Sequence, residues 1–156
     1  MEYGFYVANH GGTFRAVMSK ADTFAPDLAA LEEAINPKTR VVLINSPNNP
    51  TGVIYSRKDL KALTELLENK SQEYGKPIWL VADEPYRFLA YDGAEVPSVL
   101  PLYPYAVVIS SFSKNLSLPG ERVGFAAVSP LLHEKAELMA ALTLTNRILG
   151  FVNPPV

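Results

Sequence analysis

The sequence predicts an α/β fold, a mainly parallel sheet with helices on both faces, and two observations carry that prediction. Short apolar, β-branched runs at 41–44, 78–82 and 106–110 alternate with longer amphipathic stretches, which is the βαβ pattern of a buried parallel sheet. The 13 prolines fall mostly between those runs, so that they punctuate the elements instead of interrupting them.

Taken in order, residues 1–10 read as the tail of a helix that stops at Gly11-Gly12, glycine being the usual residue just past a helix end. Residues 13–18 read as a strand. A helix follows over 27–35, with Ala25-Pro26 marking its start, because the fixed φ of proline suits a helix entry. Residues 40–45 form the next strand, 56–74 a helix opened by a Ser56 cap, and 78–83 a third strand, buried like its neighbours. Strands over 106–111 and 123–129 come next. A closing helix runs over 131–147 behind Ser129-Pro130, a cap followed by the residue favoured at the first helical position.

Length and composition narrow the classes. A chain of 156 residues is one domain's worth, and 48% apolar content suffices for a real core. The 14 basic and 16 acidic residues leave a formal charge of -2, so no electrostatic pull towards nucleic acid or anionic lipid is expected. Without cysteine there are no disulfides or thiolate metal sites, and His10 and His133 are too far apart to read as a ligand pair. No apolar run approaches the roughly 18 residues of a membrane span, and the N-terminus carries no signal core, so a cytoplasmic location is the default expectation. There is no internal repeat. The chain ends on the apolar, Pro-rich run Gly150-Phe151-Val152-Asn153-Pro154-Pro155-Val156 with nothing after it to pack against, and it reads as cut there.

Ligands of open parallel sheets bind beyond the carboxyl ends of the strands. After the strand at 40–45 comes Ser46-Pro47-Asn48-Asn49-Pro50-Thr51-Gly52, which reads as a rigid turn and equally as a mount for a well-fixed Asn49 amide. After 78–82 comes Asp83-Glu84-Pro85-Tyr86, where a carboxylate at the end of a buried strand needs a cationic or donor partner. An acidic pair in that position also occurs in nucleotide hydrolases, but the only Gly-Lys, Gly75-Lys76-Pro77, lacks the rest of a phosphate loop. After 106–110 comes Ser111-Phe112-Ser113-Lys114, followed by Gly120-Glu121-Arg122-Val123-Gly124. An amine at a strand end can be desolvated there and made nucleophilic towards an aldehyde, which makes Lys114 a candidate Schiff-base lysine. The S-x-x-K pattern of penicillin-binding enzymes is also present, without the S-D-N and K-T-G that accompany it.

These three segments, in this order, closely resemble the fold-type I pyridoxal-phosphate enzymes, specifically the class I and II aminotransferases related to aspartate aminotransferase. The resemblance runs over nearly the whole chain and implies the central piece of that family's large, cofactor-binding domain. It implies that Lys114 holds pyridoxal 5′-phosphate through a Schiff base and then moves a proton, that Asp83 pairs with the pyridinium nitrogen, and that Asn49 and Tyr86 hydrogen-bond the ring's phenolic oxygen. Ser111 and Arg122 would bind the phosphate, and their spacings of three and eight residues around Lys114 agree with the family.

Family members are more than twice this length. The resemblance therefore implies that the N-terminal arm, the phosphate-cradling loop and the ring-stacking aromatic lie before Met1, and that the small domain with the carboxylate-binding arginine lies after Val156. It implies transfer of an amino group between an amino acid and a 2-oxo acid by a homodimer. Two other readings stay open: a catalytically inactive remnant that retains the fold, and another fold-type I enzyme such as a lyase or decarboxylase, since ring-binding residues do not select which α-carbon bond breaks.

Overall fold

The structure, a computed structural model, describes residues 2–148; Met1 and 149–156, and with them the Pro-rich end, lie outside the described residues. The elements in chain order are α1 (Tyr3–Asn9), α2 (Leu28–Ala34), β1 (Val41–Asn45), α3 (Arg57–Tyr74), β2 (Trp79–Asp83), β3 (Ala106–Ser111), α4 (Phe112–Asn115), β4 (Gly124–Val128) and α5 (Lys135–Ile148). The sheet order is β1-β2-β3-β4, with the first three strands parallel and β4 antiparallel to β3.

Local chemistry explains the helix ends. Ser56 Oγ accepts the Asp59 N–H at 3.1 Å while the Asp59 carboxylate accepts the Ser56 N–H at 3.1 Å, a reciprocal capping box that starts α3. Gly75 ends the same helix with φ 65, a left-handed conformation that costs glycine nothing. Asp27 caps α2 by accepting from Ala30 N at 3.1 Å.

Leu60, Leu63 and Leu67 recur at helical spacing on α3 and are buried against Val42 of β1, Leu80 and Ala82 of β2, and Ala106 and Val108 of β3. Burying a leucine of this kind contributes roughly 1.5–3 kcal/mol, so the α3 stripe fixes the sheet beneath it. A buried polar knot braces the far end of the strands. Tyr103 donates to Ile78 O at 2.8 Å and shares a 3.1 Å bond with Ser71 Oγ, which in turn accepts from Ile78 N at 2.9 Å.

Two expectations are corrected. Residues 13–18 form no strand: no described strand lies beside them to supply ladder bonds, and Phe14 and Met18 stay exposed, so apolar content alone did not suffice. The closing helix begins at Lys135, four residues later than the Ser129-Pro130 signal suggests. Ser129 Oγ accepts from Leu131 N at 3.2 Å and donates to Leu100 O at 2.7 Å, so it closes a turn that buries Leu132 before the helix starts.

Gly124 is where β4 meets the end of β3. A Cβ at that position would lie 2.4 Å from the Ser110 carbonyl oxygen and 3.3 Å from the Ser111 Cα, and backbone cannot swing aside as a side chain can. Gly124→Ala should therefore lower the stability of the chain by about 1–3 kcal/mol, an overpacking cost. A urea unfolding midpoint equal to that of the wild type would contradict this account of the β3–β4 contact.

Candidate functional site

Three parallel strands end side by side. Asn45, the last residue of β1, pairs in register with Asp83, the last of β2, and Asp83 in turn lies opposite Ile109 of β3, two residues short of Ser111. Asn49, Asp83, Tyr86, Ser111, Lys114 and Arg122 all lie at or just after these carboxyl ends.

The turn after β1 is held by its own amides. Asn48 Oδ1 accepts from Thr51 N at 3.2 Å and Thr51 Oγ1 at 2.8 Å, and the Asn48 N–H donates to Val53 O at 3.0 Å. Ser46 Oγ accepts from Tyr55 N at 2.8 Å. This frame presents the Asn49 side chain, whose Nδ2 donates to the Tyr86 hydroxyl oxygen at 3.1 Å. Asn49 and Tyr86 are thus brought together across 37 residues of sequence.

The segment after β2 is anchored by Glu84 and Arg87. Glu84 is buried, and Arg87 Nε donates to its Oε2 at 2.6 Å while the other guanidinium nitrogens donate to Val96 O at 2.7 Å and Pro97 O at 3.1 Å. A carboxylate buried this deeply needs such a partner, and the same guanidinium ties the following loop down beside Tyr86. Ser110 Oγ donates to Glu84 O at 3.1 Å and links β3 to the same segment.

Asp83 is half-buried, and it has the donor that its position calls for. The donor is Tyr3 of α1, whose hydroxyl bonds to Asp83 Oδ2 in a short hydrogen bond. Burial first, and then the adjoining Asp83 carboxylate, hold the Tyr3 hydroxyl well above the ordinary phenol range. Reading the sequence did not find Tyr3: nothing in the spacing of a residue eighty positions away signals the contact, which only the packing of α1 against the strand ends creates.

Ser111, Lys114 and Arg122 stand on the β3 side. Ser111 is half-buried and its hydroxyl bonds to no described residue. Lys114 falls in the last turn of the short helix α4 and has no hydrogen-bond or ion-pair partner among the described residues. The amine is not buried at the strand end as expected, because Lys114 is exposed. Arg122 donates to Pro119 O at 3.0 Å and is close enough to Tyr6 for its charge to oppose the upward shift that the Glu2 hydrogen bond gives that phenol. No direct hydrogen bond joins these three residues to the Asn49, Asp83 and Tyr86 group. Ser117 and Arg122 both hold φ near 55, as do Phe24 and Asp92, a left-handed backbone that non-glycine residues adopt at a cost of about 1–3 kcal/mol.

The donor set fits the ligand that the resemblance implies, a phosphorylated aromatic aldehyde with a basic ring nitrogen. A free amine, a carboxylate with its second oxygen unengaged by Tyr3, an amide paired with a phenol, and a guanidinium and a free hydroxyl on the β3 side would serve that ligand's aldehyde, ring nitrogen, phenolic oxygen and phosphate. The groove between α2 and α3, lined by Leu28, Glu32, Leu66, Lys70 and Glu73, contains none of these residues. Among the described residues no group of acidic, His or Cys side chains could hold a metal ion, and no helix is long and apolar enough to cross a membrane.

The family model for aminotransferase class I and II matches residues 2–151. The chain belongs to that family. An aminotransferase from Eubacterium rectale superimposes with a TM-score of 0.93 at 48% identity, covering 99% of this chain and 39% of that one. Thermus thermophilus aspartate aminotransferase, in a structure with maleate, matches with a TM-score of 0.78 at 29% identity over 97% of this chain and 37% of that one. The aspartate aminotransferase of Geobacillus stearothermophilus is 42% identical over 101 residues, 62% of this chain and 24% of the relative. The chain thus spans between a quarter and two fifths of the length of these aminotransferases.

The Tyr3–Asp83 bond carries its own pH signature. A phenol whose folded-state pKa is raised stabilises the fold fully below its unfolded pKa of about 10, and that stabilisation is lost as pH rises beyond it towards the folded value. The stability difference between wild type and Tyr3→Phe should therefore be constant from neutral pH to about 9 and shrink above about 10. Urea unfolding at a series of pH values measures it, and a difference that grows with pH would contradict the assignment.

Proposed function

We propose that this chain is the cofactor-binding core of a pyridoxal-phosphate-dependent aminotransferase that moves an amino group between an amino acid and a 2-oxo acid. The observation that carries the proposal is the hydrogen-bonded pair of Asn49 and Tyr86 beside Asp83, at the ends of the same parallel strands that lead into Lys114. Family membership supports transfer over a lyase or decarboxylase reading, because class I and II aminotransferases generally use this cofactor on amino-acid and 2-oxo-acid substrates.

When bound, pyridoxal phosphate supplies an aldehyde that captures amines and a ring that draws electrons from the substrate's α-carbon. The residues of this chain would do the rest. Lys114 would bind the aldehyde carbon through its amine and would move a proton between the substrate's α-carbon and the cofactor carbon that bore the aldehyde. Asp83 would keep a proton on the ring nitrogen, with Tyr3 hydrogen-bonded to one of its carboxylate oxygens. Asn49 and Tyr86 would hydrogen-bond the phenolic oxygen. Arg122 and Ser111 would bind the phosphate, the guanidinium through a fork that a lysine would not reproduce.

A homodimer is part of the proposal, supported by the exposed Phe5 on α1, Leu116 just after α4 and Phe125 on β4. The remnant reading keeps a specific observation in its favour for the chain by itself, namely the exposed Lys114 amine. Positioning of reactants contributes about 7–11 kcal/mol of barrier lowering, and a chain spanning two fifths or less of its relatives is proposed to bind cofactor without turning substrate over.

Incubation with pyridoxal 5′-phosphate, borohydride reduction and peptide mapping tests the assignment. The pyridoxyl label should fall on Lys114, and a label concentrated on any other lysine would overturn it. Lys114→Ala should remove the label without unfolding the chain. Steady conversion of an amino acid by the purified chain, abolished by Lys114→Ala, would refute the claim that it does not turn over.

A further inference from the structure

Asn45 has no part in the contacts proposed above, yet its side chain bonds to both sides of them. Its Nδ2 donates to the Asp83 carbonyl oxygen at 2.8 Å, and its Oδ1 accepts from Asn49 N at 3.1 Å and from Asn48 Nδ2 at 3.2 Å. The amide orientation is forced, since a carbonyl needs a donor on one side and a backbone N–H needs an acceptor on the other.

We infer that Asn45 is the positioning residue that sets Asn49 against Tyr86 and ties that pair to the strand end bearing Asp83. The inference rests on the reading of Asn49, Tyr86 and Asp83 as contacts to the cofactor ring. Only a short primary amide meets both demands. Aspartate keeps the acceptor for Asn49 N but sets a second acceptor against the Asp83 carbonyl; alanine keeps neither bond. Because Asn45 and Asp83 are register partners, the distance between the two sides of the site is fixed by one side chain and one pair of strands. The remaining bonds of the turn, among Asn48, Thr51 and Val53, shape the loop without reaching β2.

Hydrogen exchange and cofactor titration on the full chain test this. In Asn45→Ala the Asn49 backbone amide should exchange about tenfold faster, in line with the loss of one hydrogen bond, while the Leu63 and Leu67 amides of α3 keep wild-type protection. Asn45→Asp, which keeps the acceptor, should restore Asn49 protection. Affinity for pyridoxal 5′-phosphate should fall about tenfold in Asn45→Ala, and the double variant Asn45→Ala/Asn49→Ala should bind no more weakly than Asn49→Ala alone, as expected for residues that act as a unit. Unchanged Asn49 exchange in Asn45→Ala would overturn the inference, as would protection lost equally along α3 or effects that simply add in the double variant. If the wild-type chain takes up no cofactor at all, the proposed function fails for this chain, and the exchange rates alone still decide whether Asn45 positions Asn49.

Discussion

The parallel register of β1, β2 and β3 is the constraint on which the rest of the molecule depends. Asn45 faces Asp83, and Asp83 faces Ile109. Three chain segments therefore leave the sheet at one edge and in one direction, and each can present a polar side chain where a ligand can reach it. A slip of one residue would turn Asp83 to the opposite face and break the bond from Asn45 to its carbonyl. The slip is prevented from below, because alternate residues Leu80, Ala82, Ala106 and Val108 are buried with the leucine stripe of α3 and would all be moved into the wrong layer.

That apolar base is what makes the polar rim tolerable. Each buried or half-buried charge at the strand ends is met by a specific donor: Asp83 by Tyr3, and Glu84 by Arg87, which also reaches two loop carbonyls. On the β3 side the arrangement is different. Ser111 and Lys114 make no bonds of their own, Arg122 binds only a nearby carbonyl, and the loop between them carries left-handed backbone at Ser117 and Arg122. One half of the site is thus organised by internal hydrogen bonds, and the other half keeps its donors free.

Much of this was legible in the sequence, for identifiable reasons. The continuous apolar runs located β1, β2 and β3, and the Ser56 cap marked the start of α3 through side-chain chemistry that acts over three residues. The strand-end motifs singled out Asn49, Asp83, Tyr86, Ser111, Lys114 and Arg122, and the structure places all six at or just after the carboxyl ends of the strands. What the sequence hid was non-local. Tyr3 reaches Asp83 through packing, Asn45 earns its place by facing Asp83 across a ladder, and the segment 13–18 lacks a neighbour that no local pattern could have shown to be missing. The exposure of Lys114 belongs to the same class, since burial at a strand end depends on what covers it.

The central claim is that the ends of β1, β2 and β3 form a single cradle for one cofactor. Titration of the isotope-labelled chain with pyridoxal 5′-phosphate, followed by amide chemical-shift mapping, tests it most directly. The account predicts that the shifts concentrate at Asn49, Asp83, Tyr86, Ser111, Lys114 and Arg122 and rise together with one affinity. Shifts centred on the groove between α2 and α3, or separate affinities for the Asn49 and Arg122 sides, would contradict it.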